Sequence, residues 1–135
     1  MIVVDSNVIA YCWIHGERTA LAHRLRRLDP DWHAPVLWRS ELRNILAGYR
    51  RDGSLDGGQV RQVMSAAEAG LGGREHHLSS ERVFAVLERS RLSAYDSEFV
   101  ALAEILDVRL VTEDRAILAA CADRALSLAS ALEIQ

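Results

Sequence analysis

Lysine is missing altogether: the sixteen basic residues among 135 are all arginine. A phosphate-binding loop of the G-x-x-x-x-G-K type needs its lysine, and phosphoaspartyl phosphatases and receiver domains set one beside the acceptor aspartate, so both classes are disfavoured. Cysteine is scarce. Cys12 and Cys121 stand far apart with no CxxC pair, which predicts reduced, partly buried thiols and no disulfide framework. Long apolar runs are absent too: the longest, residues 8 to 14, falls far short of the roughly 20 residues that a membrane-spanning helix needs. Asp5 interrupts the amino terminus before a secretory signal can form, and a soluble, cytoplasmic protein is expected. A positive excess is also absent. The formal net charge is −3, so any nucleic-acid site must be local. The five histidines, including the pair His76 and His77, show no HExxH or other zinc spacing and are expected to be non-ligands.

Half of the residues are hydrophobic and 26% are charged, enough for one ordinary core, and residues 1 to 135 read as one domain. Ile2, Val3 and Val4 predict a parallel strand buried on both faces, with Asp5 at its carboxyl end. Residues 8 to 14 and 18 to 28 predict helices, the second with Leu21, Leu25 and Leu28 on one stripe. Residues 33 to 37 are a weaker strand, where Pro35 points to an edge or a strand start. Leu42, Ile45, Leu46 and Tyr49 set a helix over 40 to 51. Val60, Val63, Met64 and Ala67 set another over 56 to 69, stopped by Gly70, Gly72 and Gly73, and the two form a helical hairpin. Residues 75 to 78 suggest a short strand, after which Ser79 or Ser80 caps a helix bearing Val83, Phe84 and Leu87. Ser93 caps the clearest helix, with Asp96 in its first turn and Phe99, Leu102, Ala103 and Leu106 on its buried face. A strand over 108 to 112, a helix over 114 to 122, a strand over 125 to 128 and a short terminal helix complete the chain. The alternation predicts an α/β fold: a parallel sheet with helices on both faces.

Open parallel sheets bind ligands beyond the carboxyl ends of their strands. Asp5 and Asp114 each follow a predicted strand, whereas Glu41 and Asp96 each sit in a helix's first turn, where backbone N–H groups favour negative charge. An acid in a first turn is commonly only a cap. Asp5 is harder to explain so, because a carboxylate abutting a wholly apolar strand is partly buried and an unpaired buried charge is costly. Two carboxylates about 4 Å apart repel by roughly 4 kcal/mol at an effective dielectric near 20, so a cluster of four needs compensation. A divalent cation is the simplest compensation. All-oxygen ligation favours Mg²⁺ or Mn²⁺ over Zn²⁺, and Mg²⁺ usually completes its shell with water and substrate phosphate, which points to phosphodiester chemistry.

Four segments, VVDSNV around Asp5, RSELRNIL around Glu41, LSAYDSEFVALAEIL around Asp96 and VRLVTEDRAIL around Asp114, span the chain. In kind and order they resemble the PIN-domain nucleases, and more closely the VapC-type toxins of bacterial toxin-antitoxin pairs. The specific part is YD-x-x-F-V-A-L-A followed by L-V-T-x-D. The resemblance implies a three-layer α/β/α fold with the first strand central, endoribonuclease activity dependent on Mg²⁺ or Mn²⁺, and a homodimer held inactive by a cognate antitoxin. It places Asp5, Glu41, Asp96 and Asp114 in the acidic quartet, Asn7 and Thr112 at supporting polar positions, and Ser6 where Ser or Thr is common. Residues 53 to 77 carry no diagnostic motif.

On that reading Asp5, Asp96 and Asp114 hold the metal directly or through water, and Glu41 orients a water or a second ion. Asn44, one turn beyond Glu41, supports a carboxylate. RNA is gripped by candidates Arg39, Arg43 and Arg115 beside the acids, with Arg50 and Arg51 at the end of the same helix. Trp13, Trp32 and Trp38 are expected to pack and not to stack on bases. Helices over residues 8 to 28 and 42 to 64 would supply the antitoxin's groove. Two alternatives stay open: a structure-specific DNA or RNA nuclease outside a toxin pair, and a non-catalytic PIN-like module that binds RNA or protein.

Overall fold

The computed structural model describes residues 1–133. Its strands are β1 (Ile2–Val4), β2 (Trp32–Pro35), β3 (Glu75–His76), β4 (Leu110–Val111) and β5 (Ala125–Leu126). Three β-branched residues make β1, and all three side chains are buried, as a strand covered on both faces requires. It is the centre of an all-parallel sheet in the order β3-β2-β1-β4-β5. Val3 pairs with His33 on one side and Leu110 on the other.

The helices are α1 (Ser6–Trp13), α2 (Thr19–Leu28), α3 (Trp38–Arg51), α4 (Gly57–Leu71), α5 (Ser80–Arg89), α6 (Ala94–Leu106), α7 (Arg115–Ala120) and α8 (Leu128–Glu133). Right-handed crossovers put α1 to α4, which carry the chain from β1 through β2 to β3, on one face, and the return to β4 through α5 and α6 on the other. α6 packs against β1, β2 and β4, with α5 beside it, and the result is a three-layer α/β/α fold. The chain leaves β1 in one direction and comes back to β4 on the opposite side, so the strand order reverses between these two strands. An open sheet forms its crevice at such a point.

Three local readings need correction. Pro35 belongs to an interior strand, β2, and not to an edge. Its missing N–H costs no ladder bond, because pairing with β1 ends at His33 while Ala34 and Val36 donate to the carbonyls of Arg74, just before β3, and His76, within it. Helices begin earlier than their apolar periodicity shows: α1 starts at Ser6 because Asp5 caps it, and α3 starts at Trp38. The strands β3, β4 and β5 are shorter than expected, with two residues each. Gly70 does not stop α4 but lies inside it, and the C-cap is Gly72.

Packing explains Gly70. A Cβ at that position would collide with the indole ring of Trp13, which meets Trp32 edge-on at 6.1 Å between centroids. Trp32 and Trp38 are among the largest fully buried side chains. Cys12 is buried and Cys121 half-buried, both free, and burial pushes the Cys12 thiol up to about 11. Among the described residues no helix is long and apolar enough to cross a membrane.

Helix propensity and packing make opposite forecasts for Gly70→Ala. Propensity alone would stabilise α4 by about 1 kcal/mol, whereas displacing the Trp13 ring costs roughly 1–3 kcal/mol. The expected result is a lower denaturant midpoint than that of the native chain, measured by urea unfolding of the two proteins.

Candidate active site

Asp5 is the first polar residue after β1, and it is only 6% exposed. Both of its oxygens are engaged. Oδ1 accepts the backbone N–H of Ser6 at 2.7 Å, which makes Asp5 the N-cap of α1. Oδ2 accepts the hydroxyl of Thr112 at 2.7 Å. Thr112, fully buried just after β4, accepts the backbone N–H of Asp114 at 3.0 Å through the same Oγ1. One hydroxyl thus ties the ends of the two strands that flank the reversal of strand order.

The other acids are placed by helix ends. Asp114 caps α7, its Oδ1 accepting the N–H groups of Ala116 and Ile117 at 2.8 and 3.1 Å. Glu41 lies in the first turn of α3, and its Oε1 accepts the hydroxyl of Ser6 at 2.8 Å. Asp96 lies in the first turn of α6, its N–H donating to the Ser93 cap at 3.0 Å. All four carboxylates line a single cavity of about 480 Å³, together with Ser6, Asn7 and Asn44.

The charges in this cavity oppose one another. Burial holds the Asp5 carboxyl above its ordinary value; the bonds from Thr112 and Ser6 pull it back, and the charges of Glu41 and Asp114 push it up again. Glu41 is raised by burial, lowered by the Ser6 hydroxyl, and raised by Asp96 and Glu98. Asp96 is raised by burial and then by Asp114 and Asp5. Among the described residues no arginine or histidine lines the cavity to offset them. Among the described residues no three Asp, Glu, His or Cys side chains are gathered tightly enough to hold a metal ion as they stand. Their chemistry nevertheless fits a hard divalent cation: an all-oxygen set whose unfavourable mutual repulsion a positive ion removes.

Of the residues expected to support the acids, Thr112 donates a hydrogen bond to Asp5 and Ser6 donates one to Glu41. Asn7 and Asn44 line the cavity, but neither amide bonds to a carboxylate among the described residues. The arginines lie elsewhere. Arg39 turns away from Glu41, its Nε donating to Glu75 at 2.7 Å and its guanidinium pairing with Glu68 and lying over the Trp38 ring. Arg43 and Arg50 line a separate groove between α3 and α4, and the exposed Arg115 opens α7 outside the cavity. Among the described residues no histidine lines the acidic cavity, and His33 bonds instead with His76 at 2.9 Å and Asp31 at 2.8 Å. Sequence reasoning passed over Glu98, whose charge reaches Glu41, and Tyr95 and Ser40, which line the cavity. The position of Tyr95, directly before Asp96, was the available signal.

A family model described as PIN domain matches residues 2–123. No curated protein matches the chain in sequence.

Because Asp5, Glu41 and Asp96 have folded-state values above their unfolded ones, the stability they contribute is fully present below the ordinary carboxylate value and lost as pH rises through the raised one. In buffer free of divalent ions, Asp96→Asn is expected to melt higher than the native protein at pH 7. The gain is about 2–4 °C if solvent screening leaves some 1 kcal/mol of repulsion. It should vanish below about pH 4, as followed by circular dichroism.

Proposed function

The chain belongs to the PIN-domain family, whose members are generally nucleases, and from that premise we propose that it is a metal-dependent endoribonuclease, the VapC-type toxin of a type II toxin-antitoxin pair. The observation that carries the nuclease reading is the convergence of Asp5, Glu41, Asp96 and Asp114 on one cavity with no cationic side chain in its lining. The choice of RNA, and of a toxin, rests on the likeness of the four acidic segments to that group.

In this reading Asp5, Asp96 and Asp114 hold Mg²⁺ or Mn²⁺. A divalent ion bound there supplies charge neutralisation at a scissile phosphodiester and a more acidic water for attack. The chain's own residues do the positioning. Ser6 N–H and the Thr112 hydroxyl fix the Asp5 carboxylate, and the Ser6 hydroxyl fixes Glu41 through Oε1, leaving Oε2 to accept a proton from the attacking water. The raised Glu41 carboxyl suits that task, since a general base works best when its value approaches the working pH. The amides of Asn7 and Asn44 offer N–H groups to phosphate oxygens.

The same reading implies a cytoplasmic homodimer and a protein antitoxin. The groove between α3 and α4 sets Leu46, Val60 and Met64 beside Arg43, Arg50 and Arg61, a surface suited to an acidic amphipathic peptide.

Purified protein with Mg²⁺ or Mn²⁺ is expected to cut total cellular RNA at discrete internal sites, and EDTA to stop it reversibly. Thr112→Val should lower the rate about 10- to 100-fold. Asp5→Asn should lower it further with its circular dichroism spectrum unchanged. Equal cutting of matched DNA would overturn the RNA assignment, and a nearly active Asp5→Asn would remove Asp5 as a ligand.

A further inference from the structure

Beside the acid-lined cavity lies a second cleft of about 340 Å³, and Asn7 and Ile45 line both. Its chemistry is different. Tyr11 and Ile14 from the α1 side and Ile45 and Tyr49 from α3 give it apolar and aromatic walls, and Tyr49 is 38% exposed. Arg18 lines it as well. The Arg18 Nη1 donates to the Tyr11 hydroxyl at 3.1 Å, its guanidinium lies 5.3 Å from that ring's centroid, and it stands 3.9 Å from the carboxylate of Glu113, the neighbour of Asp114. Of sixteen arginines in the chain, Arg18 alone among the described residues lines either of the two neighbouring cavities.

Even with one divalent ion bound, four carboxylates leave the acid-lined cavity net negative, so the grip on an RNA strand draws on the adjoining nucleotide as well. The second cleft offers what such a nucleotide needs: one anchored guanidinium for a phosphate and exposed aromatic surface for a base. Resting on the nuclease reading above, we infer that this cleft is a nucleotide subsite for single-stranded RNA. The base flanking the scissile bond packs on Tyr49 beside Ile14 and Ile45, and Arg18 holds the flanking phosphate. A base can reach an aromatic wall only when it is free of its own stack, which selects unpaired RNA over duplex. The neighbouring Glu17 keeps the cleft from a general positive surplus, so the phosphate contact is confined to Arg18.

The test is single-turnover cleavage of a short single-stranded RNA with Mn²⁺ by the native protein, Arg18→Gln, Tyr49→Ala and Tyr49→Phe. Tyr49→Ala should lower kcat/KM about 5- to 100-fold while Tyr49→Phe keeps it. Arg18→Gln should reduce the slope of log affinity against log salt by about 0.7, the share of one phosphate on a single strand. An abasic residue at the flanking position should erase the Tyr49→Ala penalty, and a neutral methylphosphonate at the flanking linkage should erase that of Arg18→Gln. Penalties that persist on those substrates would mean damage to the fold and overturn the subsite. So would variants with native kcat/KM and salt slope, which would leave the cleft to a protein partner. A native protein that cuts no RNA would instead bring down the nuclease reading itself.

Discussion

A carboxylate at the end of a wholly apolar strand is expensive to bury, and Asp5 is buried. What makes it tolerable is the pair of short hydrogen bonds from the Ser6 N–H and the Thr112 hydroxyl. The first starts α1. The second joins the ends of β1 and β4, where the strand order reverses, and through the same oxygen of Thr112 it also fixes the backbone that presents Asp114. One side chain thus connects the centre of the sheet, the start of a helix and the position of a second acid.

The cost that remains is electrostatic, and it marks the site. In each of Asp5, Glu41 and Asp96 burial is the largest influence, and the charges of neighbouring acids add to it. A protein selected for stability alone would place arginine beside such a group, and this one does so at Glu75, where Arg39 is bound. At the acid-lined cavity it does not. Groups strained in this way, in a cleft and without an internal counter-ion, are where functional chemistry is found. In the proposed function, a divalent ion supplies the charge missing from the protein.

Much of this arrangement was legible in the sequence because it rests on local rules. The run Ile2-Val3-Val4 followed by Asp5 marks a buried strand and its end; Ser93 three residues before Asp96 marks a cap; and Ser6 and Thr112 each stand next to or two residues from an acid. The rest depends on contacts distant in sequence. Arg39 reads as an RNA-gripping residue because it neighbours Glu41, but it is drawn to Glu68 and Glu75, 29 and 36 residues away. Gly70 looks like a helix stop, yet its role is set by Trp13 on another helix. Pro35 looks like an edge marker, yet it falls where one ladder has ended and the other is served by its neighbours. Arg18 stands in no acidic segment at all, and it comes near the acids only because its cleft shares Asn7 and Ile45 with their cavity.

The central claim is that these carboxylates raise one another's proton affinity and that a divalent ion relieves them together. It is tested most directly by nuclear magnetic resonance titration of the side-chain carboxyl carbons of Asp5, Glu41 and Asp96, with and without saturating Mg²⁺. All three should titrate above ordinary carboxyl values without the ion and fall in concert when it is added. Midpoints that stay where they were on adding Mg²⁺ would contradict it.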